Sequence, residues 1–277
     1  MSSRHPLIMI RGGGDLATGI AARLKRSGFD VVVTEIEKPR ALRRLVSLAQ
    51  AIYTGEVQVE DLLGKFVENF DSVRPVLDSG AIPVLIDSDA ASRNLLMPEA
   101  IVDARMLKTP SELGRDAAPF VIGLGPGFEA GVDCHVVIET KRGHHLGRVL
   151  NQGKAAADTA KPDAIAGFDV ERVLRAPASG KIASRVELGA ILKIGAVVAT
   201  VAGDEIHTAF DGVLRGLMQD GLMVSQGEKV GDLDPRMNVA YCYEISDKAL
   251  AVGGGVMEAL LSQPSIRRML GGANAFG

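Results

Sequence analysis

The chain has 277 residues, of which 47% are hydrophobic and 23% charged, with a formal net charge of −3 at pH 7. This is the composition of a globular protein with ample core material, arranged as one large domain or two smaller ones. The charge argues against nucleic-acid or anionic-membrane binding, and 4% aromatic residues without tryptophan leave no stacking platform for single strands. Two cysteines, Cys134 and Cys242, are too few for a disulfide framework or a four-cysteine zinc site, so a reduced, cytoplasmic compartment is expected. Residues 1–6 carry no signal-peptide core, and no apolar run reaches the ~18 residues of a spanning helix.

In chain order, residues 7–10 read as a buried parallel strand and residues 15–27 as a helix, with Leu16, Ile20, Ala21 and Leu24 at helical spacing. Lys25, Arg26 and Gly28 form a helix C-terminal signature. Val31, Val32 and Val33 make a second strand that runs into Thr34 and Glu35. Between the first strand and the helix, Gly12-x-Gly14-x-x-Ala17 fits the glycine pattern of dinucleotide-binding turns. Glu35 follows at the distance, about 20 residues, where a ribose-binding carboxylate is expected. The amides of Gly12, Gly13, Gly14, Asp15 and Leu16 would then face a pyrophosphate at a helix N-terminus. Two readings stand: a nucleotide cradle, or a turn whose glycines serve packing. Asp15 sharpens the choice, since it either repels a phosphate or caps the helix, and Arg11 offsets its charge.

Residues 39–50 are expected to form a helix with Pro39 in its first turn and Arg40, Arg43 and Arg44 on a basic face, either solvated or lining an anion site. Residues 61–70 read as another helix. Residues 82–86 and 100–104 read as strands that end near Asp87 and Asp103, on the ligand side of a parallel sheet. A strand over 120–124 enters a loop with Gly123, Gly125 and Gly127. Pro126 removes one amide there, yet a ligand can still approach the backbone. After a strand over 134–140, residues 141–148 carry five ionisable side chains. Glu139, Arg142, His144 and His145 are candidates for anion binding or proton transfer, against the plain alternative of a polar hairpin. No metal-ligand spacing occurs, and Cys134 has no evident base partner.

Residues 175–202 and 207–234 repeat each other at an offset of 32, with Gly180, Gly189 and Gly195 falling on Gly212, Gly221 and Gly227. Two short β-rich halves suit a small sandwich or barrel, and the pattern resembles the biotinyl/lipoyl barrel-sandwich fold. The turn that holds the carrier lysine in that fold is here Val201-Ala202-Gly203-Asp204-Glu205, without lysine, so a structural or docking role is expected. Near the C-terminus, Gly253, Gly254 and Gly255 read as opening a helix from about Val256, either as an anion site or for close packing.

The stretches IRGGGDLATG, VTEIEKP, GLGPGFEAGVDCHVVIETKRGHHLGRVL, ERVLRAPASG and AVGGGVMEALL closely resemble the YqeB family, from Ile8 to about Leu261. That resemblance implies an accessory protein of a selenium-dependent molybdenum hydroxylase system, loosely akin to XdhC-type cofactor factors. Asp158-Thr159-Ala160-Lys161-Pro162-Asp163 departs from it, because two glycines of the family segment are missing. The expected fold is α/β: a Rossmann-like, mostly parallel sheet over 1–168, a barrel-sandwich module over 169–237, and a C-terminal segment over 238–277 with a glycine-opened helix. The expected function is maturation of a molybdenum hydroxylase, with the apoenzyme as partner, a homo-oligomer as a further option, and NAD(P) or molybdopterin dinucleotide as candidate ligands. The alternative is an NAD(P)-dependent oxidoreductase.

Overall fold

The computed structural model describes residues 5–109, 111–157 and 167–273; the departing segment 158–163 lies outside them. The chain divides into two compact units. The first takes Met1–Glu37, Leu48–Asp158 and Ile245–Gly277, and the second Lys38–Ser47 and Thr159–Glu244.

The first unit is built on β1 (Leu7–Arg11), β2 (Asp30–Glu35), β3 (Glu56–Val59), β4 (Leu62–Val67), β5 (Ile82–Ile86), β6 (Ala100–Asp103), β7 (Val121–Leu124), β8 (Glu129–Ala130), β9 (Val136–Ile138), β10 (Val149–Leu150) and β11 (Gly153–Lys154). Nine of them form one sheet in the order β10-β9-β7-β6-β1-β2-β5-β4-β3, while β8 and β11 pair separately. The seven inner strands are parallel and only the edge strands β3 and β10 run antiparallel. Ile8, Met9, Ile10, Val31, Val32 and Val33 are fully buried, as the unbroken apolar runs of a sheet covered on both faces require. Strand order reverses at β1: β2 lies on one side, β6 on the other.

The helices are α1 (Asp15–Arg26), α2 (Ala51–Thr54), α3 (Val73–Asp78), α4 (Arg93–Leu96), α5 (Asp247–Leu261) and α6 (Pro264–Ala273). α1 ends as its sequence signature implies. Gly28, at φ +86°, donates to Lys25 O and Phe29 donates to Leu24 O, the paired bonds of a Schellman cap. α1 packs on α5 through glycine: a Cβ on Gly19 would press on the Ala249 backbone, and one on Gly253 would lie 2.8 Å from Gly19 O. No helix among the described residues is long and apolar enough to cross a membrane.

Three expectations are corrected. Residues 61–70 hold strand β4, because parallel pairing with β5 overrides the helical spacing of Leu62, Leu63, Phe66, Val67 and Phe70. Residues 39–50 form two short 3₁₀ turns rather than a helix. The basic residues there are engaged: Arg40 pairs with Glu228 at 2.6 Å, Arg43 donates to Tyr241 O and Glu244 O, and Arg44 donates to Leu217 O. That is why residues 38–47 belong to the second unit, outside the span 169–237. Finally, α5 starts at Asp247, capped by Ser246, whose hydroxyl accepts from Ala249 N at 3.2 Å. Gly253, Gly254 and Gly255 therefore sit inside the helix and do not open it.

The second unit contains β12 (Val173–Arg175), β13 (Gly180–Ser184), β14 (Ile191–Leu192), β15 (Val197–Val201), β16 (Asp204–His207), β17 (Gly212–Leu217), β18 (Met223–Val224) and β19 (Lys229–Asp234). They form two four-stranded sheets, β12-β19-β17-β14 and β16-β15-β13-β18. Exchanging the two sequence repeats turns one sheet into the other. The repeat extends to single bonds: Gly189 N donates to Leu214 O where Gly221 N donates to Ile182 O, both at roughly the hydrogen-bond optimum of about 2.9 Å. A core that includes Ile182, Leu192, Val198, Leu214, Val224 and Val230 serves both sheets.

Candidate functional site

β1 ends at Arg11 and β6 at Asp103, which are register partners where the strand order reverses. In open α/β sheets, ligands bind beyond the strand C-termini at such a point. Arg11 is 1% exposed. Its Nη1 donates to Asp103 Oδ2 at 3.3 Å, and its Nη2 donates to Ser88 O and to Glu112 Oε1, both at 2.6 Å. Arg105 folds back onto the same acid, with Nε to Asp103 Oδ1 at 2.9 Å and Nη2 to Oδ2 at 2.7 Å, while its Nη1 reaches Glu112 Oε1 at 3.0 Å. Ser111 Oγ donates to Asp103 Oδ2 at 3.3 Å. Arg105 and, after it, Arg11 hold the Glu112 carboxyl at about 2, against the opposing effect of its partial burial. Thr34 is the other register partner of Arg11, so its side chain shares that face of the sheet. Its buried hydroxyl has no hydrogen-bond partner among the described residues.

The glycine turn lies directly beside this cluster. Gly12, at φ +85°, donates to Thr34 O at 2.7 Å, and a Cβ there would stand 3.2 Å from Arg105 Cγ. Gly13 is enclosed: its N–H donates to Glu35 Oε2 at 2.8 Å, its carbonyl accepts from Ala49 N at 2.9 Å, and a Cβ would lie 2.8 Å from that nitrogen. Glu35 Oε1 also accepts from Ile36 N at 2.8 Å. A carboxylate has about four acceptor positions, so two remain after these bonds. Gly14 is different. It is the extended N-cap residue of α1, without side-chain capping, and a Cβ there would meet nothing within 4 Å. Asp15 is the first helical residue rather than the cap, and its Oδ1 accepts from Leu16 N at 2.9 Å.

Gly123, Gly125 and Gly127 come to the same end of the sheet, since Gly123 is in register with Asp103. Packing explains two of them. A side chain on Gly123 would fall on the Phe128 ring, and one on Gly127 would fall on Leu107 O and Thr109 O. Gly125 adopts φ +83° beside Met106 and Thr140. Glu139 is 6% exposed and accepts from Lys141 N and Ala156 N, both at 2.7 Å, so it anchors the polar hairpin. Arg142 makes a two-pronged bond to Asp247 at 2.7 and 2.8 Å. His144 and His145 pack edge to face at 5.2 Å. Burial pushes the Cys134 thiol up to about 11, which makes it a poor nucleophile. Burial also favours neutral His135, whose Nδ1 accepts from Val121 N at 3.0 Å. No group of three His, Cys, Asp or Glu among the described residues is placed to hold a metal ion.

Sequence reading found the glycine turn and both acids but missed Arg105, Glu112 and Thr34. The available signal was a pair of opposite charges two residues apart, Asp103 and Arg105, at the end of an apolar strand.

No protein-family model matches the chain. Among solved structures it is similar to an aspartoacylase family protein from Mesorhizobium loti, with 12% identity, 83% of this chain and 85% of that chain covered, and a TM-score of 0.25. It is also similar to a succinylglutamate desuccinylase from Silicibacter sp. TM1040, with 15% identity, the same coverage and a TM-score of 0.24. TM-scores this low establish no shared fold. In sequence the chain is 44% identical over 259 residues to the uncharacterized protein YqeB of Escherichia coli (strain K12). The alignment takes in 94% of this chain and 48% of YqeB, so the chain spans about half the length of that relative. With that identity along nearly all of its residues, the chain belongs to the YqeB family.

Proposed function

We propose that this chain is a cytoplasmic accessory factor in the maturation of a molybdenum hydroxylase, and that it binds a nucleotide or pterin-dinucleotide-like ligand where β1, β2 and β6 end. The observation that carries the ligand assignment is the open Gly14 at the N-terminus of α1, next to the strand-order reversal. Backbone there can approach a phosphate without steric opposition, and the helix end favours negative charge. Glu35, already oriented by Gly13, retains acceptor positions for ribose hydroxyls. These features support a Rossmann-like reading of the first unit. The maturation role rests on the family resemblance, and molybdopterin dinucleotide offers the same phosphate and ribose groups as a nucleotide.

The exchange of strands between the two sheets of the second unit supports a barrel-sandwich reading. Its β15–β16 turn consists of Ala202 and Gly203, with no lysine to carry a prosthetic group. That leaves docking of the apo-hydroxylase as its task.

The test is calorimetric titration of the purified protein with NAD(H), NADP(H), ATP, CTP and molybdopterin dinucleotides. Gly14→Val places its side chain in open space, so the protein stays folded while binding falls by at least tenfold. An absence of binding to every compound refutes the proposal. Glu35 also suits a nicotinamide dinucleotide, so the oxidoreductase alternative is tested in the same samples by following reduced-nicotinamide absorbance against a panel of small carbonyl compounds.

A further inference from the structure

The charges at the strand-order reversal do not close among buried groups alone. Arg11 and Arg105 bring two positive charges, and the buried Asp103 neutralises one. The other is met by Glu112, whose side chain is 53% exposed, nine residues along from Asp103. Arg11 cannot withdraw to water, since its own side chain is 1% exposed. Of the side-chain acceptors bonded to Arg11 among the described residues, Asp103 is buried and Glu112 faces solvent. On the same face of the sheet, Thr34 is the register partner of Arg11, and its hydroxyl is buried and unpartnered among the described residues. A Cβ on Gly12 would stand 3.2 Å from Arg105 Cγ, so this cluster adjoins the glycine turn.

We infer that Arg11, Arg105 and Thr34 form a phosphate subsite at the ends of β1, β2 and β6, and that the Glu112 carboxylate holds the place of the ligand's phosphoryl group. The inference deepens the nucleotide reading of this crevice and rests on it. Paired guanidinium groups match the planar spread of phosphate oxygens, and a threonine hydroxyl donates a further bond. Glu112 fills the subsite when it is empty of ligand, so the two guanidinium groups are never left with Asp103 alone to balance them, which would leave one positive charge unmet beside a buried arginine. An incoming phosphate displaces Glu112 to solvent, where an exposed carboxylate is well accommodated. Binding is thus an exchange of one anion for another and is weaker than the bare subsite allows.

The experiment measures pyrophosphate and ADP binding by calorimetry to the full chain as wild type, Glu112→Gln and the double variant Glu112→Gln/Arg105→Gln, with folding checked by circular dichroism. Glutamine keeps the shape and removes the competing charge. The expected result is about tenfold tighter binding of both probes to Glu112→Gln, with the gain abolished in the double variant. Unchanged or weaker binding to folded Glu112→Gln overturns the inference, as does tighter binding that survives loss of Arg105. If Glu112→Gln fails to fold, Glu112→Asp serves instead, because its shorter side chain retracts from Arg11 and gives the same direction of change; no gain there also overturns it. The two proposals fail separately. ADP binding to wild type that ignores Glu112 and Arg105 leaves the nucleotide reading standing and removes the subsite. Arg105-dependent binding of pyrophosphate without binding of any nucleotide does the reverse.

Discussion

At the scale of single residues, Glu112 makes a prediction that needs no ligand. Its carboxyl is held at about 2, below the ordinary 4.5, first by Arg105 and then by Arg11. A depressed carboxyl contributes stability that is fully present above its unfolded pKa and is lost as pH falls through the folded value. The window is therefore pH 4.5 down to about 2. Chemical denaturation across that range should show wild type losing more stability than Glu112→Gln, with the two curves converging at the acid end. Parallel curves would mean that the ion pairs are screened away. None of this could be read from the sequence. Asp103 was legible as an acid at a strand end, but its sharing between Arg11 and Arg105 depends on parallel pairing between strands some 90 residues apart. Gly13 shows the opposite situation. The sequence marked it as special, and packing accounts for it: its amide is taken by Glu35 and a Cβ there would lie 2.8 Å from Ala49 N, while Gly14 stays open.

At the scale of elements, the three glycines of α5 separate into distinct jobs. A Cβ on Gly255 would collide with Gly147 O, and one on Gly253 with Gly19 O, whereas one on Gly254 meets nothing. Gly254→Ala is expected to stabilise the protein by about 0.5–1 kcal/mol, the ordinary gain of alanine over glycine in a helix interior. Gly255→Ala should destabilise it by about 1–3 kcal/mol, the usual result of overpacking. Thermal melts of the two variants test this, and equal melting points would contradict the packing described here. The sequence showed three adjacent glycines and suggested a helix start, because glycine is unfavourable within helices taken singly. Contact between helices overrode that propensity. The same competition accounts for β4. Its apolar residues have helical spacing, and pairing with β5 overrides it. The strands β1, β2, β5 and β6, the helix α1 and the internal repeat were legible because each carries its own periodicity or glycine register.

At the scale of the whole molecule, neither unit is a single run of chain. The second unit depends on residues 38–47: Leu42 O accepts from Leu217 N at 2.9 Å, and Arg40 and Arg44 bind Glu228 and Leu217 O. A chain restricted to 167–244 is therefore expected to unfold at lower urea than the same chain with 38–47 linked to it. Coincident transitions would show those contacts to be dispensable. A contiguous division at 168 and 237 was the natural inference from the internal repeat. A ten-residue excursion far upstream leaves no compositional trace, and its arginines look like any solvated basic face.

The pairing of α1 with α5 also bears on how the protein is made. Arg23 Nε reaches Leu250 O across 227 positions, Gly19 lies against the Ala249 backbone, and Gly253 lies against Gly19 O. During synthesis α1 emerges well before α5 and waits for its cover while the residues between them are translated. A nascent chain stalled anywhere before α5 keeps that groove uncovered, an adhesive surface of the kind that chaperones shield. Late closure of this groove is then a step at which the unfinished chain is exposed to aggregation.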